Sequence, residues 1–169
     1  MKKLLMPDYM FRKYDDVTPD FLENIGVRAL IIDIDNTLAP YEQPEPDERL
    51  YAWVSSMRSH GIGMTLMSNN GRERVELFNK DLGLPAYWKS GKPKRKNLDR
   101  AMRDMGTGIS DTAVLGDQLL TDALAGKRIG LRAIIVPPIK DKTSLFFKFK
   151  RMLERPYVKK FKKENQIEW

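Results

Sequence analysis

Short aliphatic runs alternate with longer amphipathic stretches along most of the 169-residue chain. The runs "VRALIID" (27–33), "GMTLMS" (63–68), "PAYW" (85–88), "TAVLG" (112–116) and "LRAIIV" (131–136) read as five strands, the last closed by Pro137 and Pro138. Each is short, apolar and bounded by turn-forming residues. Between them the apolar positions recur at helical spacing. Residues 47–60 place Leu50, Trp53, Val54 and Met57 on one face, and residues 71–82 do the same with Val75, Phe78 and Leu82 before Gly83 stops them. Residues 93–105 turn Leu98, Ala101, Met102 and Met105 inward, and a fourth helix spans 118–128. Strands alternating with helices of this length imply parallel pairing through right-handed crossovers. The expected fold class is α/β, Rossmann-like, an open parallel sheet of about five strands flanked by helices. Residues 1–26 form a lead-in packing on this core, with Thr18 and Pro19 opening a short helix and Gly26 stopping it. Residues 27–139 form the core itself, and 140–169 a basic amphipathic tail.

Open α/β sheets bind ligands beyond the carboxyl ends of their strands, and polar residues gather at those ends. The first strand ends in Asp33, with Asp35 two positions on; the second in Ser68, Asn69 and Asn70; Lys92 follows the third; the fourth runs into "GDQLLTD", with Asp117 and Asp122. Carboxylates crowded on one rim raise one another's pKa, and a hard divalent cation relieves them. Mg²⁺ takes oxygen ligands and binds through one or two carboxylates together with a substrate phosphate. The pattern therefore points to a metal and phosphoryl site. Taken singly, Asp35 or Asn36 could open a turn, Ser68 could cap a helix (although Asn70 fills that place better), and Asp122 could be a surface acid. Lys94 and Lys96 rival Lys92, which is preferred because Pro93 follows it.

In order, "DIDNT", the strand-end Ser68, the "KP" lysine and "GDQLLTD" resemble the four motifs of the haloacid dehalogenase (HAD) superfamily over residues 27 to about 136. "LLMPDY", "DIDNTL", "SNN" and "GDQLLTD" look like the YqeG-type group of subfamily IIIA, itself similar to the mitochondrial phosphatidylglycerophosphatase. The resemblance implies a phosphomonoester hydrolase with Asp33 as nucleophile, forming an aspartyl-phosphate, and Asp35 as general acid and base. It implies that Thr37, Ser68, Asn69 and Lys92 bind the substrate, and that Asp33, the Asp35 carbonyl and Asp117 hold Mg²⁺ while Asp122 orients a metal water or Lys92. An Asp at the second position with Thr37 following favours phosphatase over dehalogenase chemistry.

Neither interval between the motifs holds a cap domain, so an open site is expected, suited to phosphates on large molecules. The candidates are a lipid headgroup such as phosphatidylglycerophosphate, or a nucleic-acid, protein or sugar phosphate. Cysteine is absent and His60 is the only histidine, which removes thiolate sites and disfavours histidine-based phosphatase chemistry. "MKKLLMPDYM" has too short an apolar run for a signal peptide, so the chain is expected in the cytoplasm, with a peripheral membrane contact.

Charge separates the tail from the rest. Of the net +7, residues 140–163 carry +8, from ten Lys or Arg against Asp141 and Glu154, leaving −1 elsewhere. Phe146, Phe149 and Leu153 share a helical face until Pro156, which is expected to interrupt the helix. Three readings follow: a membrane-surface helix, a helix docked on the core, or an RNA-binding patch with stacking aromatics. The last would make the chain an RNA- or ribosome-associated protein without catalysis. Whether Asp33 is instead a phosphorylated switch turns on Asp35, which would hydrolyse the adduct.

Overall fold

The structure, a computed structural model, describes residues 2–140 and 144–169. Asp141, Lys142 and Thr143, counted with the basic tail, lie outside the described residues. Its elements in chain order are β1 (Tyr9–Met10), α1 (Pro19–Asn24), β2 (Ala29–Ile32), α2 (Glu48–Ser59), β3 (Gly63–Met67), α3 (Arg72–Asn79), β4 (Ala86–Tyr87), α4 (Lys96–Met105), β5 (Thr112–Gly116), α5 (Leu124–Lys127), β6 (Arg132–Ile135) and α6 (Leu145–Glu164). The strands form one parallel sheet in the order β1-β6-β5-β2-β3-β4.

Register aligns the strand ends. Ile32 of β2 stands beside Leu66 of β3 and Leu115 of β5, so the residues that follow these three strands emerge at one level. Both faces of the sheet are covered, which is why the strands are apolar throughout rather than alternating. Leu30, Ile32, Ala113 and Leu115 pack into one core with Leu50, Trp53, Met57 and Phe78. Ile31, Val114 and Ala133 point the other way, into a core with Leu98, Met102, Leu119 and Phe161.

Five strands are as expected; β1 is a sixth, built from the lead-in. It pairs Tyr9 with Ile134 and Met10 with Ile135. The Asp8 carboxylate fixes it by accepting from the Ala133 N–H at 2.7 Å and the Lys127 ammonium at 2.6 Å. Two paired residues leave no periodicity to read. The rest of the lead-in caps the first core, where the Trp53 indole donates to the Val17 carbonyl at 2.9 Å. Thr18 caps α1 as expected, its hydroxyl accepting from the Phe21 N–H.

Two local expectations are corrected. Asn70 does not cap α3: Gly71 holds that position, and the Asn70 side chain is drawn onto Asp35. Nor does Pro156 interrupt the tail, since α6 is one helix of 20 residues running through it. A helix-interior proline costs about 3 kcal/mol, and anchors on both sides offset it. Before it, buried Glu154 accepts from the Leu120 N–H at 2.9 Å; after it, Phe161 is buried in the second core. The first turns of α6 stay in solvent, with Leu145 84 %, Phe146 63 % and Phe149 54 % exposed.

Gly116, the last residue of β5, lets the Asp122 side chain cross directly over the backbone, where a Cβ would overlap the Asp122 carboxyl group. Asp122 is buried and hydrogen-bonded in place, so it has nowhere to retreat. Gly116→Ala is expected to lower the unfolding free energy by about 1–3 kcal/mol, measured by urea denaturation.

Candidate active site

The two acids of "DIDNT" avoid each other by leaving the strand. β2 ends at Ile32, and the chain folds over Ile34, whose carbonyl accepts from the N–H groups of Thr37, Leu38 and Ala39. Asn36 takes the left-handed conformation this turn needs, with φ of 65°, which Asn tolerates better than most residues. Asp33 and Asp35 are both buried, yet their carboxylates have separate partners. Asp33 accepts from the Lys92 ammonium at 2.7 Å and, more loosely, from the Thr37 hydroxyl at 3.4 Å. Asp35 accepts from the Asn70 amide, from Arg74 Nε at 3.1 Å and from the Ser68 hydroxyl at 3.4 Å.

Lys92 arrives on a loop pinned by Asn69. The Asn69 side-chain carbonyl accepts from the Lys92 N–H and the Ser90 hydroxyl, both at 2.9 Å, and its amide donates to the Lys92 carbonyl at 3.2 Å. The Lys92–Pro93 peptide is cis. The ammonium lies buried between Asp33 and Asp122, 2.6 Å from the latter. Lys94 and Lys96 remain exposed, so Lys92 is the lysine that enters the cluster.

Asp117 and Asp122 follow β5. A π-helical turn, Leu119–Ala123, carries Asp122 back toward the strand end, where its carboxylate also accepts from the Gln118 N–H at 3.1 Å. Asp117 is met by Arg151 of α6. The guanidinium is ion-paired to Asp117 Oδ2, donates to the Asp117 carbonyl at 2.6 Å, and reaches Glu154 at 2.9 Å. Asp117 Oδ1 is buried with no hydrogen-bond partner. Asp33, Asp117 and Asp122 each offer a carboxylate oxygen, all within 4.8 Å of one another. A hard oxygen donor set with an unpartnered buried acceptor fits a divalent cation of the Mg²⁺ or Mn²⁺ type.

Every predicted site residue reaches this rim: Asp33, Asp35, Thr37, Ser68, Asn69, Lys92, Asp117 and Asp122 all lie in or against the cluster. Asn70, Arg74 and Arg151 were not predicted. An arginine early in a polar helix reads as solvated, so Arg74 carried no signal. Arg151 sits in a run of lysines, 34 residues from the carboxylate it meets.

Burial raises Asp33 to about 8, reinforced by the charges of Asp122 and Asp117 and opposed by Lys92. Burial also lifts Asp117 to about 6, although Arg151 resists. For Lys92, burial works toward the neutral form, but Asp122 and Asp33 outweigh it and push the pKa up. Without a cation, the folded chain thus holds protons on Asp33 and Asp117 where the unfolded chain, with ordinary carboxylates, has released them. Stability falls with pH wherever the native state binds more protons. The melting temperature in a chelator is expected to be lower at pH 8 than at pH 5.5, by scanning fluorimetry, and Asp33→Asn should flatten that slope.

Comparison with known proteins bears on the chain's family. A HAD-hydrolase-like family profile matches residues 89–141, the part that carries Lys92, Asp117 and Asp122. Among solved structures, the cobalt-bound deoxy-D-mannose-octulosonate 8-phosphate phosphatase of Haemophilus influenzae superposes with a TM-score of 0.53 at 13% identity, over 88% of this chain and 95% of that one. An uncharacterized protein from Listeria monocytogenes serotype 4b gives 0.55 at 14% identity, over 70% and 85%. These likenesses show the fold, and no cap domain covers the rim among the described residues. Over all 169 residues the chain is 38% identical to the "Probable phosphatase YqeG" of Bacillus subtilis (strain 168), covering 98% of that protein. The chain belongs to the YqeG-type phosphatases of the HAD superfamily.

Proposed function

We propose that this chain is a Mg²⁺-dependent phosphomonoester hydrolase of subfamily IIIA that works through an aspartyl-phosphate. The observation that carries the reading is the pairing of Asp33, 2.7 Å from a buried ammonium, with an unpartnered oxygen of Asp117 in the same carboxylate cluster. An Asp33 oxygen attacks phosphorus and the ester P–O bond breaks, with Asp35 giving its proton to the departing alkoxide. Water then attacks the phosphoaspartate, Asp35 takes its proton, and the P–O bond to Asp33 breaks. Lys92 neutralises charge on the transferring phosphoryl group. The Ser68 hydroxyl and the Asn69 N–H hold its oxygens, while the Thr37 hydroxyl orients Asp33. Asp33, Asp117 and the Asp35 carbonyl would hold Mg²⁺, with Asp122 steering Lys92. The cation supplies charge neutralisation at the phosphoryl oxygens.

Asp33→Asn is expected to reduce phosphate release from an aryl phosphate to background, measured colorimetrically with Mg²⁺ present; full activity in that variant would discard the mechanism. Mg²⁺ should raise the melting temperature, more at pH 8 than at pH 5.5, because it competes with the protons on Asp33 and Asp117.

The substrate proposed is a large or membrane-borne phosphate, with phosphatidylglycerophosphate first and a nucleic-acid, protein or sugar phosphate as the alternative. Between Ser68 and Lys92 stand only α3 and β4, so little covers the rim. No helix of the described residues is long and apolar enough to cross a membrane. The exposed face of α6 instead sets Leu145, Phe146, Phe149, Met152 and Leu153 beside Lys148 and Lys150, the composition of a helix lying on an anionic bilayer at the cytoplasmic face. Each Lys or Arg near such a surface adds about 1 kcal/mol. Co-sedimentation with anionic vesicles should be lost in a Phe146→Ser, Phe149→Ser variant. Binding to RNA without binding to vesicles would favour the RNA-associated alternative.

A further inference from the structure

Next to Asp117, between the Pro137–Pro138 segment and α6, lies a cavity of about 290 Å³. Its sheet side is apolar, formed by the end of β6 and the two prolines. Its helix side carries Arg151, Arg155, Lys159 and Lys162. Among the described residues the only acids in the wall, Asp117 and Glu154, are both paired with Arg151, and Lys162 is bonded to the Trp169 carbonyl. Arg155 and Lys159 are exposed, four residues apart on one face of α6, and form no ion pair among the described residues. The groove therefore carries two uncompensated cations at the edge of the catalytic rim.

The transferring phosphoryl group already has its own cation: Lys92, which lies against Asp33. Arg155 and Lys159 line a groove that Asp117 also lines and Lys92 does not, so an anion held there is distinct from the transferring phosphoryl group. The geometry points to a second anion site: the groove takes a phosphate or phosphodiester carried by the leaving alcohol, and the enzyme selects phosphomonoesters that bear one. This deepens the proposed function and rests on it. An arginine fork with a lysine beside it suits phosphate oxygens, and the apolar floor accommodates the carbon chain joining the two groups. Free or on a lipid, the anion has the same chemistry, and the groove recognises the phosphate either way.

The test compares glycerol 3-phosphate, which lacks the second anion, with glycerophosphoglycerol phosphate, which adds a phosphodiester, and with phosphatidylglycerophosphate in vesicles. Hydrogen bonds to charged groups predict that the soluble diester-bearing ester exceeds glycerol 3-phosphate in kcat/KM by about tenfold or more, mainly through KM. In an Arg155→Ala, Lys159→Ala variant that ratio should fall toward unity, and Arg155→Lys should retain part of it. Glycerophosphoglycerol, which has no monoester to hydrolyse, should bind the wild type by calorimetry and bind the double variant at least about tenfold more weakly. Preference for the soluble ester marks recognition of the anion itself; a further gain in vesicles marks a lipid-borne source. Equal ratios and equal affinities in wild type and variant would overturn the groove while leaving Asp33-dependent release intact. Calorimetric binding that depends on Arg155 and Lys159, with no release from any ester, would overturn the proposed function and not the anion site.

Discussion

The Lys92 ammonium, shared between Asp33 and Asp122 inside the protein, is the interaction around which the rim is built. Removing one member of a buried ion pair strands the other's charge, which costs several kcal/mol, so each group here constrains the placement of the next. Asn69 grips both sides of the Lys92 peptide to hold the loop. Gly116 gives up a side chain so that Asp122 can pass. Even then one ammonium does not balance the carboxylates that face it, and Asp33 and Asp117 are left with raised affinity for protons. The same imbalance would favour a cation among these carboxylates.

Sequence pattern reaches far into this fold because the informative residues stand at strand ends. Asp33, Ser68, Asp117 and the five apolar strands are readable from runs that stop at a polar residue, and parallel register then brings the stops together. Where the pattern fails, tertiary contact has overridden a local preference. Asn70 is a good cap by propensity, but the Asp35 carboxylate competes for its amide. Pro156 is a helix breaker by propensity, but buried contacts before and after it hold α6 together. β1 is too short to leave a pattern, and its pairing is set by Asp8 reaching across to β6.

The tail divides into two halves with different surroundings. Its second half behaves as part of the core, with Phe161 packed under the sheet. Its first half presents phenylalanines and lysines to solvent. Of the sequence-based readings, docking on the core describes the second half, while the first half is exposed to solvent. One continuous helix joins them, so whatever the exposed end rests upon is mechanically connected to the residues beside Asp117.

Arg151 gives that connection a chemical terminus. Because its guanidinium grips both the carbonyl and the carboxylate of Asp117, the catalytic module cannot be excised at the end of β6 and remain whole. A fragment cut there would keep every family motif and yet lose the counter-charge of one of its acids, together with a wall of its second core. For this chain the span of the motifs is shorter than the span whose buried charges are paired.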